Sequence, residues 1–430
     1  MSHLTLKASY EALSERLNRF PQGAPPSELL FRILETLFSP EEAALVAQLP
    51  IRPFTPAAAA RVWKKGEAEA TGILEALAAR GMLLDMESRG RRTFVLPPPM
   101  AGFFEFSLMR IGGPYDQKLL AELFHQYLNV EEDFVRELFG AGETRLGRVF
   151  VDEGPVSRQP DLQVLDHERA SQVVEEARHI GIGTCYCRHK ASHLGRACKA
   201  PMDICMTFGG TAQSLVKHGI ARKVDAAECL DLLQRAREEK LVQFGENARE
   251  KVAFICNCCG CCCEALVAAK RFAWLNPVAT TAFLPEVDAE GCDGCGHCVT
   301  ACPVEAMGLV SANDPLKPSR RKARLDPDLC LGCGVCARAC RRERIRLRRR
   351  AERILTPANT AHRAVLMAIE RGTLQHLVFD NRAQWNHRAM GAILGAILAL
   401  PPVKRAMASK QMKSVYLDRL LASNPPRPRD

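Results

Sequence analysis

The sequence predicts an α+β chain, mostly helical and divided into several modules. Three observations carry this. Apolar residues recur at helical spacing through the first 140 residues. Two β-prone runs, Met82 to Met86 and Thr93 to Leu96, flank a basic turn and read as one hairpin. All nineteen cysteines fall after residue 184, in separate clusters. At 430 residues there is room for two or three domains, and 47% hydrophobic with 25% charged residues describes a folded chain. Composition and spacing give these divisions: 1–24 an N-terminal helix, 25–110 helices ending in the hairpin, 111–180 a helical connector, 181–285 a cysteine-rich domain, 286–350 a module of paired cysteine repeats, and 351–430 a helical C-terminal region.

Residues 1–20 read as a polar amphipathic helix without the apolar core of a signal peptide. Leu29, Leu30, Ile33, Leu34, Leu37 and Phe38 then form an apolar stripe at helical spacing. Ser39-Pro40-Glu41-Glu42 is a helix start, and Thr55-Pro56 repeats the signal. A further helix spans Glu67 to Ala79, stops at Gly81, and leads into the hairpin. This order resembles a winged helix. The helix that would enter a DNA groove carries Glu67, Glu69 and Glu75 and no base-reading Arg, Asn or Gln. Arg89, Arg91 and Arg92 in the wing suit phosphates. The expectation is therefore a packing or protein-interaction role rather than DNA binding.

Residues 102–140 read as helical, with Leu119, Leu120, Leu123, Phe124 and Tyr127 on one face. Glu143 to Asp161 reads as a loop-rich connector and Asp166 to His179 as a helix. Ile180-Gly181-Ile182-Gly183 reads as a turn delivering the next cysteines.

Cys185, Cys187, Cys198 and Cys205 have the spacing C-x-C-x10-C-x6-C. Four thiolates within that span can close on one iron–sulfur cube, with zinc the main rival. His189 and His193 nearby read as solvated. Cys256, Cys258, Cys259, Cys261, Cys262 and Cys263 crowd into eight residues. They cannot all reach one metal, because neighbouring side chains in an extended segment point apart. Three roles stay open: a further iron–sulfur cluster, ligands lent to the Cys185–Cys205 site, or a reactive thiol centre at a strand-to-helix turn, where helix amides favour thiolates. Cys229 lies on an apolar helix face and reads as packed.

Cys292, Cys295, Cys298 and Cys302 are spaced C-x2-C-x2-C-x3-C, with Pro303 following, and Cys330, Cys333, Cys336 and Cys340 repeat that spacing. Two-residue gaps let three thiolates wrap one [4Fe–4S] cube, and the fourth must come from farther away. Gly294, Gly296, Gly332 and Gly334 supply the turns. A zinc ribbon or disulfide framework fits this pattern far less well. The stretch resembles the bacterial two-cluster ferredoxins. In them the last cysteine of each copy ligates the other cluster. The resemblance thus implies one cluster on Cys292, Cys295, Cys298 and Cys340, and a second on Cys330, Cys333, Cys336 and Cys302. The second copy departs from the pattern, with Arg341 in the place of proline. Taken whole, the chain resembles bacterial multi-cluster 4Fe-4S ferredoxin-domain proteins, which implies electron carriage and two [4Fe-4S] clusters, with a third or fourth possible.

Between Lys317 and Arg353 there are 14 Lys or Arg against four Asp or Glu, which equals the whole chain's net charge of +10. Such a stretch can balance cluster charge, steer an acidic redox partner, or bind a nucleic-acid backbone. The expected partner is a redox protein with an acidic docking surface. So many thiols without a signal peptide point to a cytoplasmic metal protein rather than a disulfide framework. No apolar run is long enough to span a membrane. Ala389 to Leu400 is too short and reads as a buried helix. A last basic helix is expected over Lys404 to Ala422. No G-x-G-x-x-G follows a strand and no G-x4-G-K-[ST] occurs, so a nucleotide-dependent enzyme is not expected from this chain alone. Electron transfer is the leading reading. The alternatives are an iron–sulfur oxidoreductase working at the Cys256–Cys263 turn, and a cluster-dependent winged-helix regulator.

Overall fold

The computed structural model describes residues 2–88, 90–140, 142–271, 278–351, 354, 356–380 and 385–400. Helix makes up 46% and strand 16%, a mixed α+β content. The expected helix over Lys404 to Ala422 and the basic wing residue Arg89 lie outside the described residues.

The N-terminal part follows its local signals. Ser27 caps helix Glu28–Leu37, whose buried face is Leu30, Ile33, Leu34 and Leu37. Ser39 and Glu42 form a reciprocal capping box at helix Pro40–Val46. Thr55 caps helix Pro56–Trp63. Helix Glu67–Ala79 follows, and the hairpin is β1 (Leu84–Ser88) paired with β2 (Arg91–Val95).

The hairpin does not stand free. Asp85 on β1 is buried and accepts hydrogen bonds from Ser214 Oγ at 2.9 Å and Lys217 Nζ at 2.6 Å, with His218 Nε2 at 2.9 Å. All three residues belong to or directly follow helix Gly209–Lys217 of the next domain. Arg92 pairs with Asp85 and Glu75. This wing arginine is thus spent on internal ion pairs.

Six strands between residues 147 and 258 form an antiparallel sheet that the sequence reading did not foresee, and it draws on residues on both sides of the expected boundary at 181. Its strands are β3 (Gly147–Val149), β4 (Ile180–Thr184), β5 (Asp203–Phe208), β6 (Ala221–Val224), β7 (Val242–Glu246) and β8 (Phe254–Cys258), in the order β3-β7-β8-β5-β4-β6. The segment Ile180 to Gly183, expected as a turn, is a central strand. Its glycines serve close packing: a Cβ on Gly183 would sit 2.6 Å from Met109 Cε. Strands β4 and β7 are buried on both faces, and β4 accordingly carries no alternation of apolar and polar residues.

The repeat module has a near-twofold plan. Strand β9 (Phe283–Val287) leads through the first cysteine loop and helix His297–Ala301 to β10 (Met307–Ser311). Strand β11 (Arg321–Leu325) leads through the second loop and helix Val335–Ala339 to β12 (Ile345–Arg349). The copies interleave, because β9 pairs with β12 and β10 with β11, both antiparallel.

The C-terminal helices are Thr360–Arg371, Leu374–Val378 and Trp385–Ala399. The last was expected to be buried. Instead Met390, Ile393, Ile397 and Leu400 are exposed. Its apolar residues run round the helix, and it rests chiefly on the short helix before it.

Candidate metal centres

Interleaving the two copies sorts the eight repeat cysteines into two cavities. One is lined by Cys292, Cys295, Cys298 and Cys340. The other is lined by Cys302, Cys330, Cys333 and Cys336. Each takes three cysteines from one copy and the last from the other. The loops need left-handed glycines: Gly294 has φ 69° and Gly332 φ 75°. A Cβ on Gly332 would also strike the Phe283 carbonyl oxygen at 2.2 Å.

The sulfurs accept backbone hydrogen bonds as a cluster ligand should. Cys292 Sγ accepts from the Ala323 amide at 3.4 Å and Cys340 Sγ from the Arg344 amide at 3.3 Å. Cys302 Sγ accepts from Ala306 at 3.2 Å and Cys330 Sγ from Gly332 at 3.3 Å. The bonds from Ala306 and Arg344 are equivalent, each four residues after the last cysteine. The turns match too, with Glu305 at φ 59° and Glu343 at φ 54°. Arg341 therefore occupies the proline position without changing the turn.

The two sites differ in burial. Cys295 is exposed at the first, whereas Cys330 and Cys336 are buried at the second. The second loop is clamped to the central domain. Arg338 forks onto Asp152 with two 2.5 Å hydrogen bonds, the Asp152 amide donates to the Cys333 carbonyl at 2.8 Å, and the Thr281 amide donates to the Leu331 carbonyl at 3.0 Å. Burial pushes the Cys330 thiol up to about 11 and raises Cys333 and Cys336 as well.

Residues 284–343 match the 4Fe-4S dicluster domain family. Over this stretch the chain is similar to iron–sulfur proteins of ferredoxin type, and the match indicates 4Fe-4S cluster binding. No curated protein and no solved structure shows significant similarity to the chain.

The ten upstream cysteines do not group as spacing suggested. Cys198 leaves Cys185, Cys187 and Cys205 and joins Cys259, Cys261 and Cys262. The reason is topological. Strands β5 and β8 are neighbours, and Cys205 lies one step along from the Met206–Ile255 pair, so it meets Cys256 at 3.9 Å. Cys256 and Cys258 share one face of β8, while Asn257 points the other way and donates to the Ile204 carbonyl at 2.9 Å. The chain then turns, and Cys263 comes back beside Cys258 and Cys187. The result is a row, Cys187–Cys263–Cys258–Cys256–Cys205, with Cys185 alongside, in which Cys205, Cys258 and Cys263 are buried and the others half-buried. Contacts with neighbouring thiols pull Cys256 and Cys263 well below the usual thiol range. Thiol contacts and burial push Cys187, Cys205 and Cys258 up.

His189 is buried, not solvated. Its Nδ1 lies 2.7 Å from the Leu108 carbonyl and its Nε2 3.2 Å from His193 Nε2, so both ring nitrogens are occupied. Cys229 is fully buried in the apolar cluster with Leu233 and Val224. Two features escaped the sequence reading. Arg188 is buried, with Nη1 3.1 Å from the Asn257 carbonyl and 3.8 Å from Cys259 Sγ. Glu105 is half-buried near Cys256, and loss of solvation pushes its carboxyl up to about 8. Neither has a local spacing signal; both reach the site through the fold.

Among the described residues, no helix is long and apolar enough to cross a membrane.

Proposed function

We propose that the chain is an electron carrier whose ferredoxin-type module holds two adjacent [4Fe–4S] clusters and exchanges electrons with an acidic redox partner. Cys292, Cys295, Cys298 and Cys340 would hold the first cluster, and Cys302, Cys330, Cys333 and Cys336 the second. The observation that carries this is the pair of cavities, each lined by three cysteines of one copy and the last of the other. Bound there, the clusters supply reversible one-electron chemistry. The protein tunes it by burial and by amide bonds to sulfur. The first site, with exposed Cys295, is the port to the partner. The second faces the interior.

The charge around the port supports an acidic partner. Several arginines are internally committed: Arg338 to Asp152, Arg342 to Asp293, Arg344 to Asp288. Arg321, Arg324, Arg341, Arg346 and Arg348 are exposed and make no ion pair among the described residues. They leave a positive rim that steers anions.

The same reading extends to the row of Cys185, Cys187, Cys205, Cys256, Cys258 and Cys263. A row is too long for one ion to reach every thiol, so it suits a further centre with more than one iron. It shares one apolar core with Cys302, Cys330 and Cys333 of the second site, which would lengthen the electron path inward.

The test is rapid mixing of the reduced chain with two small acceptors, ferricyanide and a tris-phenanthroline cobalt(III) cation. The anion should react faster than its driving force alone explains, and its advantage should shrink as salt rises or when Arg341, Arg346 and Arg348 become Glu. Equal salt dependence for both acceptors would refute the basic port. Clusters that cannot be reduced and reoxidised would refute the carrier. Replacing Cys256 and Cys258 with Ser should remove iron beyond the dicluster module; unchanged iron would refute the further centre.

A further inference from the structure

The upstream cysteines contain a site of a second kind. Cys198 lies on the loop between helix Tyr186–His193 and β5, while Cys259, Cys261 and Cys262 lie on the turn between β8 and helix Glu264–Arg271. Their four sulfurs all lie within 4.8 Å of one another. Cys198 Sγ is 3.6 Å from Cys259 Sγ, and Cys261 Sγ is 3.7 Å from Cys262 Sγ.

Those separations discriminate between metals. Four thiolates on one tetrahedral ion, each at about 2.3 Å, sit about 3.8 Å apart. A [4Fe–4S] cube binds one thiolate at each iron corner and spreads the sulfurs to about 6 Å. Among the described residues the eight ferredoxin cysteines form no group as tight as this one. One chain therefore presents two spacings, an open one at the cluster cavities and a closed one here.

The surroundings agree. A divalent ion with four thiolates carries net negative charge, and the buried Arg188 guanidinium lies 3.8 Å from Cys259 Sγ. Cys261 is exposed, so an ion has a way in, while Cys262 is buried. Two chain segments about 60 residues apart are joined, the usual task of a structural tetrathiolate site.

We propose that Cys198, Cys259, Cys261 and Cys262 hold one tetrahedral zinc-type ion, separate from every iron–sulfur cluster. The ion clips the Cys198 loop to the turn that packs on the ferredoxin module. It does not change redox state.

The test is metal analysis of the full chain, prepared without oxygen and without chelators. About one zinc per chain should accompany the iron. Cys198→Ser and Cys261→Ser should each remove the zinc and leave iron, sulfide and the dicluster EPR signals unchanged. So that the result does not depend on how a variant folds, the intact chain is also produced with cobalt in place of zinc. Four thiolates around cobalt(II) should give strong visible bands of tetrahedral symmetry. Loss of about four irons and four sulfides in the Cys variants would overturn the proposal, since the group would then hold a cube. So would a zinc-free chain in which these four thiols all react with a thiol reagent, or a cobalt-loaded chain without tetrahedral bands.

Discussion

Gly260 lies directly against Pro303. A Cβ built on Gly260 would fall 2.3 Å from the Pro303 carbonyl oxygen and 2.9 Å from its Cα. Gly260 is the middle of the cysteine-dense turn, and Pro303 follows Cys302 of the second ferredoxin site. The upstream thiols and the dicluster module thus meet backbone to backbone, with no room for a side chain between them.

Gly260→Ala must move one of these backbones. The expected cost is about 1–3 kcal/mol of overpacking. The change should appear at the second site, as a shifted midpoint potential or altered EPR line shape for the cluster that uses Cys302. The first cluster should keep its signal. Potentiometric EPR on both chains checks this; identical titrations would mean the contact transmits nothing.

The interleaved copies give a reciprocal prediction. Cys340→Ser should damage the cluster held by the first loop, Cys292 to Cys298, although Cys340 belongs to the second copy. Cys302→Ser should damage the other. Each variant should lose up to about four irons and the magnetic coupling between clusters. Should each cysteine instead damage the cluster of its own copy, the cavities have been paired wrongly.

Asp85 fastens the hairpin to the central domain. Burial alone would raise its carboxyl, but hydrogen bonds from His218, Lys217, Arg92 and Ser214 hold it well below the usual range. Asp85→Ala leaves these donors without their shared acceptor. A loss of about 1–3 kcal/mol is expected, typical of leaving hydrogen-bond donors without their partner, since Lys217 stays half exposed and Arg92 keeps Glu75. Urea denaturation of both chains at neutral pH measures it. Loss of less than about 1 kcal/mol would mark the contact as a surface-type pair.

How much of this was legible in sequence depended on whether the signal was local. The Ser39 capping box and the Thr55 cap needed only four adjacent residues, and both helices start where they should. The ferredoxin repeats are equally local, because spacing and glycines shape each loop. Most of the central sheet was not legible. Strand β4 is short, interrupted by Gly181 and Gly183, and covered on both faces, so neither alternation nor propensity marks it. Without the sheet, no rule of spacing could place Cys205 beside Cys256 or send Cys198 to Cys259. The exposure of helix Trp385–Ala399 was missed for a related reason: apolar composition says a helix can be buried, not what lies next to it.

His362 gives a pH test that leaves the clusters alone. Its Nδ1 accepts from the Ala358 amide at 3.2 Å, at the start of the C-terminal helices. Burial, then the nearby Arg249, lowers its pKa below the usual 6.5. A histidine held neutral by the fold contributes fully above its unfolded pKa. That contribution falls as pH drops from about 6.5 toward the lower folded value. The protection of the 357–362 backbone against hydrogen exchange should weaken between pH 7.5 and 5.5. His362→Gln should flatten that dependence; an equal slope in both chains would assign the effect elsewhere.

The most direct test of the central claim is a reductive titration of the oxygen-free chain followed by EPR, with iron and sulfide counted on the same sample. Two adjacent [4Fe–4S] clusters predict at least about eight irons and eight sulfides per chain. They also predict a simple signal early in reduction that turns into a broadened, interacting one when both clusters are reduced. About four irons, or two signals that never interact, would contradict the account.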